Sequence, residues 1–302
     1  MPTSPTLIGA DRAEVFHVAA LDGLACMTAR FRSHAFPRHM HKTYVVEVVG
    51  EGIDEFSCGP AAGGKPAYGV GDAAPGENPV RGRTFAAQPR NFRAGPGSIV
   101  AIDPFRVHTG RPGTDGTLAY RSIYPTAELM ARLAGGIPAR APSFVEPVVD
   151  DPALAVAFVD AHRRLQQAPA DAGDAGAMAD VLRTLVRRHG RPVDALPADR
   201  SCAEGVWLAK RYLLDHLADN VSLERLSSVA GVSPFHLARC FRDAVGLPPH
   251  EFVLNVRIER CRQLIASGWS IADAASALGF ADQAHLTRRF RRQVGVTPGR
   301  YR

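Results

Sequence analysis

The period of hydrophobic positions changes from strand-like to helical near residue 126 of this chain of 302 residues. From about residue 12 to 125, runs such as Thr43-Tyr44-Val45-Val46-Glu47-Val48-Val49 and Ser98-Ile99-Val100-Ala101-Ile102 are rich in β-branched residues and bounded by Gly and Pro, which predicts strands. Between them, residues 59–97 hold much of the chain's glycine and proline, with turn signals at Gly63-Gly64-Lys65-Pro66 and Ala74-Pro75-Gly76. That stretch is too long for a hairpin loop and predicts a flexible, irregular insertion. From Thr126 the apolar spacing becomes helical, over 127–134, over 152–167 through Leu154, Phe158 and Leu165, and over 177–189 through Met178, Leu182, Leu185 and Val186. Residues 169–176 separate the last two helices. Residues 190–200, with Pro192 and Pro197, read as a short linker before an amphipathic helix at 202–218. The organisation is therefore a strand-rich unit over 1–125 (insertion 59–97), a helical packing or dimerisation segment over 126–190, a linker over 191–201 and an all-helical unit over 202–302.

The helical unit contains an internal repeat. His236-Leu237-x-Arg239-x-Phe241-Arg242-x-x-Val245-Gly246-x-x-Pro249 returns as His285-Leu286-x-Arg288-x-Phe290-Arg291-x-x-Val294-Gly295-x-x-Pro298. Each copy is preceded by a short helix and a glycine turn, Gly231-Val232-Ser233 in the first and Gly279-Phe280-Ala281-Asp282 in the second, so the extra residue of copy two lies in its turn. Gly231 is expected to take positive φ, Ser233 to cap with Pro234 at the first helical position, and Asp282 to cap the second copy. Leu237, Phe241 and Val245 face inward, as do Leu286, Phe290 and Val294. Phe235, His236, Ala238, Arg239 and Arg242 are left to face out, as are Gln283, Ala284, His285, Arg288, Arg289 and Arg292. Residues 249–267 join the copies as one helix with Leu254, Ile258, Cys261 and Ile265 on a stripe.

Charge changes this picture from two helical hairpins to two reading heads. The net +6 is placed unevenly: residues 1–199 carry 21 Lys/Arg against 21 Asp/Glu, and residues 200–302 carry 15 against 9. A basic C-terminal third on a neutral remainder is the footprint of a nucleic-acid module attached to something else, the alternative from charge alone being a solubilising charged face. With the paired helix-turn-helix repeat, the partner expected is double-stranded DNA. Arg239 and Arg288 occupy equivalent early positions and suit base contacts, since arginine grips the two major-groove acceptors of guanine. Arg242, Arg289 and Arg292 suit phosphates. The five cysteines lack CxxC spacing and fit neither a disulfide framework nor a zinc cluster, and no signal peptide or membrane span is apparent, so a cytoplasmic protein is expected.

The paired motifs, in particular Gly279-Phe280-Ala281-Asp282-Gln283 and Phe290-Arg291-Arg292-Gln293-Val294-Gly295-Val296-Thr297-Pro298 with Tyr301-Arg302, resemble the AraC/XylS family of bacterial transcription regulators over residues 203–302. The resemblance implies two helix-turn-helix units on a connecting helix, with Phe235, Ala238, Arg239, Gln283, Ala284 and Arg288 in the positions that contact bases. It also implies a small-molecule effector, a homodimer, and RNA polymerase as a further candidate partner.

In the strand-rich unit, Pro37-Arg38-His39-Met40-His41 and the stretch from Gly95 to His108 resemble the cupin barrel used by such regulators for ligand binding. The fold expected is thus α+β and multidomain: a cupin-like barrel with packed helices, then an all-α domain with two helix-turn-helix motifs joined by a linker helix. His39 and His41, two apart, share a strand face, and with Glu47 and His108 they form the candidate ligand site. A ligand pocket, histidines that are structural at the barrel mouth, and a metal site all remain open readings. Enzymatic cupins carry a glutamate four or five residues after the second histidine; Val45 and Val46 stand there and Glu47 is one position too far. No metal, cofactor or catalytic residue is assigned. The function expected is a ligand-controlled, sequence-specific DNA-binding regulator and not an enzyme, the alternative being a metal-dependent cupin dioxygenase or isomerase with an accessory DNA-binding domain.

Overall fold

The strand at 45–49 is apolar at every position but Glu47 because both of its faces are buried. In the computed structural model, which describes residues 11–59, 89–114, 116–135, 141–191 and 200–301, the strands in chain order are β1 (Arg12–Val18), β2 (Leu24–Phe31), β3 (Phe36–His39), β4 (Val45–Gly52), β5 (Asp54–Cys58), β6 (Arg90–Ala94), β7 (Ile99–Ile102), β8 (His108–Pro112), β9 (Leu118–Tyr124) and β10 (Val148–Val149). They form two antiparallel sheets, ordered β1-β2-β9-β4-β7-β10 and β3-β8-β5-β6. Side chains alternate across a strand. Val45 and Val49 pack into the core with Met27, Phe31, Phe56, Ile102 and Tyr120, whereas Val46 and Val48 join a different core with Leu154, Phe158, Met178 and Leu182.

That second core is where the helices α1 (Ala127–Leu133), α2 (Pro152–Gln167) and α3 (Ala172–His189) dock. Pro152 opens α2 behind the cap Asp151, whose carboxylate accepts the Leu154 N–H. Helix α3 begins five residues earlier than its apolar periodicity predicts. Asp171 caps it by accepting from Asp174 N at 2.8 Å, and this cap outweighs the weak helix propensity of Gly173 and Gly176. The 59–97 insertion is also more ordered at its end than its composition predicts. Residues 90–94 form β6, paired with β5 from Asp54↔Ala94 to Cys58↔Arg90, and Phe92 stacks on Phe56 at 5.3 Å. Residues 60–88 lie outside the described residues.

A buried histidine joins α2 to the large sheet. Arg121 Nη1 donates to His162 Nδ1 at 3.1 Å, and His162 Nε2 donates to the Ser122 carbonyl at 3.3 Å, a pattern that needs the neutral ring. Burial, reinforced by the Arg121 charge, pushes its pKa down to about 4. The unfolded chain therefore takes up this proton first as pH falls, so the contribution is complete above about 6.5 and is lost towards 4. Between pH 7.5 and 5 the loss is expected to reach about 2 kcal/mol. Urea unfolding of His162→Gln should show a pH dependence flatter by that amount, and parallel curves for variant and native chain would refute it.

The C-terminal unit is helical: α4 (Arg200–Asp215), α5 (Leu223–Ala230), α6 (Pro234–Val245), α7 (Pro249–Ala266), α8 (Ile271–Ala277) and α9 (Gln283–Val294). Both caps act as the sequence suggests: Ser233 Oγ accepts from His236 N and Asp282 Oδ1 from His285 N. Gly231 and Gly279 take φ of +67° and +69°. Leu237, Phe241, Leu286, Phe290 and Val294 are buried, and Val245 is half-buried. Helix α7 departs from the single apolar stripe expected of it. Ile258, Cys261 and Ile265 are buried, but so are Asn255, Arg257, Glu259 and Arg262, because α7 is packed on several sides. Arg257 satisfies carbonyls at two helix ends, donating to Leu217, Asp219 and Gly279. Cys26, Cys58 and Cys261 are buried free thiols. Cys240 is instead disulfide-bonded, against the expectation of unpaired cysteines; the side chain of Cys202 lies outside the described residues.

Candidate functional site

Two surfaces carry the candidate residues. On the first, the N-terminal turns of α6 and α9 stand clear of the barrel. Phe235 is 80% exposed, and Arg239, Arg242, Gln283, Ala284, Arg288 and Arg292 are exposed as well. His236, Ala238, His285 and Arg289 are half-buried. His236 Nε2 lies 3.4 Å from Cys240 Sγ, and the His285 ring packs edge-on against Phe280. Arg289 and Arg292 line a groove with Pro37 and Arg38 of the barrel, so the cationic side of α9 runs towards the other unit.

The opposite ends of the same helices press on the barrel. Gly246 and Gly295, the equivalent glycines that end α6 and α9, both have positive φ. A Cβ on Gly246 would come within 3.0 Å of Val107, and one on Gly295 within 2.8 Å of Phe31. Met40 and Val107 are buried in the core of the first helix-turn-helix unit. The barrel therefore touches both reading heads at their rear.

The second surface is a cavity of about 60 Å³ between the two sheets, roofed by α7 and α9. Room on this scale holds a few water-sized groups. His39 and His108 face one another across β3 and β8, with ring centroids 4.3 Å apart, and His41 lies 4.8 Å from His39. One ring nitrogen from each of the three lies within 4.8 Å of the others. Burial, reinforced by the neighbouring histidines, holds the His39 pKa well below its usual value and brings His108 to about 3, so both are neutral. Glu47 lines the same cavity, as strand alternation with Val45 and Val49 requires. Beside it is Asp54, and each has a buried oxygen without a hydrogen-bond partner. Burial first, then its neighbour Asp54, raises the Glu47 pKa well above the carboxylate range, and burial lifts Asp54 to about 7. Tyr44, by contrast, points away and donates to the Pro142 carbonyl.

The roof is ionic. Glu259 Oε1 accepts from Arg262 Nη1 at 2.9 Å and lies 3.2 Å from His41 Nδ1. Arg262 also approaches His41 Nδ1 at 3.2 Å, but two donors cannot bond each other, so the carboxylate organises both. Against the cost of burial, Arg262 and the His41 hydrogen bond hold the Glu259 pKa at about 2. Arg262 is further fixed by Tyr301 Oη at 2.9 Å and lies between the Tyr124 and Tyr301 rings. Asn255, one turn before Glu259, accepts from the Met40 N–H and from Gln293 Nε2.

The candidate residues His39, His41, Glu47 and His108 are thus brought together. Asp54, Tyr120, Tyr124, Asn255, Glu259 and Arg262 are functional candidates that sequence reasoning missed. Asp54-x-Phe56-x-Cys58 carried a usable alternation signal, and Asn255, Glu259 and Arg262 a helical spacing of four and three. The three histidines fit a transition metal by donor type. Nδ1 of His39 and His108 faces the carbonyls of Pro37 and Arg106, and Nδ1 of His41 faces Glu259, which leaves Nε2 of each ring available.

A small barrel cavity with histidines and carboxylates set among apolar walls, closed by the helix that joins two DNA-reading heads, defines a two-part regulator, one part sensing and one part reading. Comparison with known proteins agrees. The AraC-like ligand binding domain family matches residues 82–185, and a helix-turn-helix domain family matches residues 226–302. The chain is 26% identical to the uncharacterised HTH-type transcriptional regulator YbfI of Bacillus subtilis, over 83% of this chain and 81% of that protein. It is 35% identical to the regulatory protein PocR of Salmonella typhimurium over 31% of each, so the chain spans less than a third of that relative. The solved structure of ToxT from Vibrio cholerae has the same fold, with a TM-score of 0.50 at 11% identity over 96% of each chain. The chain belongs to the AraC family of transcriptional regulators.

Proposed function

We propose that this regulator reads a specific DNA site with α6 and α9 and is controlled by a small polar effector in the barrel cavity. In this division of labour, residues 1–125 sense, 126–190 support the barrel, 191–201 link and 202–302 read. The observation that carries the reading is the position of the cavity: its roof is α7, the helix that sets the spacing of the two heads. An effector with different affinity for the docked and undocked arrangements shifts the population of one over the other. The buried oxygens of Glu47 and Asp54 favour an effector that brings hydrogen-bond donors. A second reading, a metal-dependent cupin enzyme, is favoured by the histidine cluster alone. The small cavity under the α7 roof argues for a sensor and against turnover of an organic substrate.

Double-stranded DNA is the partner the exposed arginines suit. A homodimer and RNA polymerase are the further partners proposed. Helices α2 and α3 bury their inner stripe on the barrel, so self-association would use their outer side, where Val156 is exposed. No described helix is long and apolar enough to cross a membrane, and a cytoplasmic location beside the chromosome is part of the proposal.

The test is binding-site selection with the full chain, followed by Arg239→Ala and Arg288→Ala on the selected site. Each is expected to cost about 1–3 kcal/mol and to relax preference at one base pair. Uniform weakening on all sequences would show phosphate contacts instead, and failure to select any site would refute the regulator reading.

A further inference from the structure

The roof of the barrel cavity puts a carboxylate from the DNA-reading unit behind one of three clustered histidines. His39 and His108 have their Nδ1 atoms directed at backbone carbonyls at 2.7 and 2.8 Å. The third, His41, has its Nδ1 directed at no barrel group but at Glu259 of α7, 3.2 Å away. A histidine that ligates a metal through one nitrogen characteristically gives the other N–H to a carbonyl or carboxylate, which orients the ring and raises its basicity. All three rings have such a partner, and only one of those partners comes from outside the barrel.

We infer that His39, His41 and His108 bind one divalent transition-metal ion, and that Glu259 is its outer-shell partner across the domain interface, so that metal occupancy and docking of the DNA-reading unit stabilise each other. This rests on the reading of the barrel cavity as the regulatory site and names the class of its effector. The donor set is three imidazole nitrogens, which suits Zn²⁺, Co²⁺, Ni²⁺ or Cu²⁺ and not Mg²⁺ or Ca²⁺, which take oxygen ligands. The cavity of about 60 Å³ suits an ion with one or two waters. The ligand nitrogens, now within 4.8 Å of one another, would draw in to about 3.3 Å around an ion with bonds near 2.1 Å. Rotation of the rings supplies that movement. Moving His41 also moves what it holds, which is Glu259, and through Glu259 the guanidinium of Arg262.

Docking is the element that has two states. In the docked state, Glu259 completes the shell of His41. With α7 withdrawn, His41 loses its acceptor and the site its third oriented ring. Coupling of this kind is reciprocal: the factor by which docking strengthens metal binding is the factor by which metal favours docking. Outer-shell partners contribute about 10–100-fold in affinity, and that is the size of the docking shift expected.

The experiment uses the full chain, stripped with a chelator and titrated with Zn²⁺ by calorimetry and with Co²⁺ by visible absorption. One ion per chain is expected, absent from His39→Ala and His108→Ala. Glu259→Gln keeps a side chain that still accepts from Arg262, so circular dichroism should show a folded chain; its Zn²⁺ affinity should fall about 10–100-fold. On the selected DNA site, Zn²⁺ should change the affinity of the native chain several-fold, and this response should shrink in Glu259→Gln. Absence of stoichiometric metal from the native chain overturns the inference. So does a folded Glu259→Gln that binds Zn²⁺ as tightly and responds on DNA as fully as the native chain. Neither outcome touches the regulator reading, which is decided by metal-free binding to the selected site and its loss in Arg239→Ala and Arg288→Ala.

Discussion

Alanine at position 279 is expected to destabilise the chain by about 3–5 kcal/mol, whereas alanine at the equivalent position 231 should cost only about 1–2 kcal/mol. Both glycines sit in the turn of a helix-turn-helix with φ near +70°, and both substitutions carry the left-handed backbone penalty. They differ in what a Cβ would meet. At Gly231 nothing lies within 4 Å, whereas at Gly279 the Cβ would be 1.9 Å from the carbonyl oxygen of Ala218 and 2.7 Å from its carbon. That neighbour is backbone, so the turn itself must move. The Gly279 carbonyl, which accepts from Arg257 at 2.8 Å, moves with it. Urea denaturation followed by far-UV circular dichroism checks both variants. Equal losses would mean that the turn of the second unit stands off Ala218, in the turn that follows α4, in solution.

Glu259→Ala is expected to cost about 3–5 kcal/mol, the range for removing one partner of a buried ion pair. Glu259 and Arg262 are both buried, and the carboxylate accepts from Arg262 and from His41 in a site that lies between the two units. Without it, the guanidinium stays buried with the Tyr301 hydroxyl, two aromatic faces and His41 Nδ1, 3.2 Å away, as its remaining partners among the described residues. Those remaining partners place the loss towards the lower end of the range. His41 loses its acceptor as well, so the damage is to the docking of the DNA-reading unit as much as to α7. Chemical denaturation together with limited proteolysis of residues 190–200 measures this. A loss under about 1 kcal/mol would show that the pair is open to solvent and the units are not docked.

The reading half was legible because its information is local. Ser233 and Asp282 as caps, Gly231 and Gly279 at positive φ, and the inward Leu and Phe of each copy are all consequences of spacing within one or two helical turns. The strand at 45–49 was legible for the same reason. The start of α3 was missed because periodicity weighs apolar residues, and its first turn is Ala, Gly and Asp held by the cap Asp171. β6 was missed because it ends a glycine- and proline-rich stretch, with Pro89 directly before it and Gly95-Pro96-Gly97 directly after, and its pairing partner, β5, lies on the far side of the insertion. The histidines were visible as a motif. Their partner Glu259 was not, since a charged residue at helical spacing reads as a solvated face until a second domain is placed over it.

What the sequence by itself determined was the pair of reading heads, their caps and exposed arginines, and a strand-rich unit with His39, His41 and His108 in it, all set by short-range sterics and side-chain period. Only the tertiary structure decided that the two units meet at the barrel mouth, that Gly246 and Gly295 press on Val107 and Phe31, and that Glu259 stands 218 residues along the chain from the histidine it contacts. Contacts between residues so far apart depend on how two independently patterned cores dock, and no local period records that.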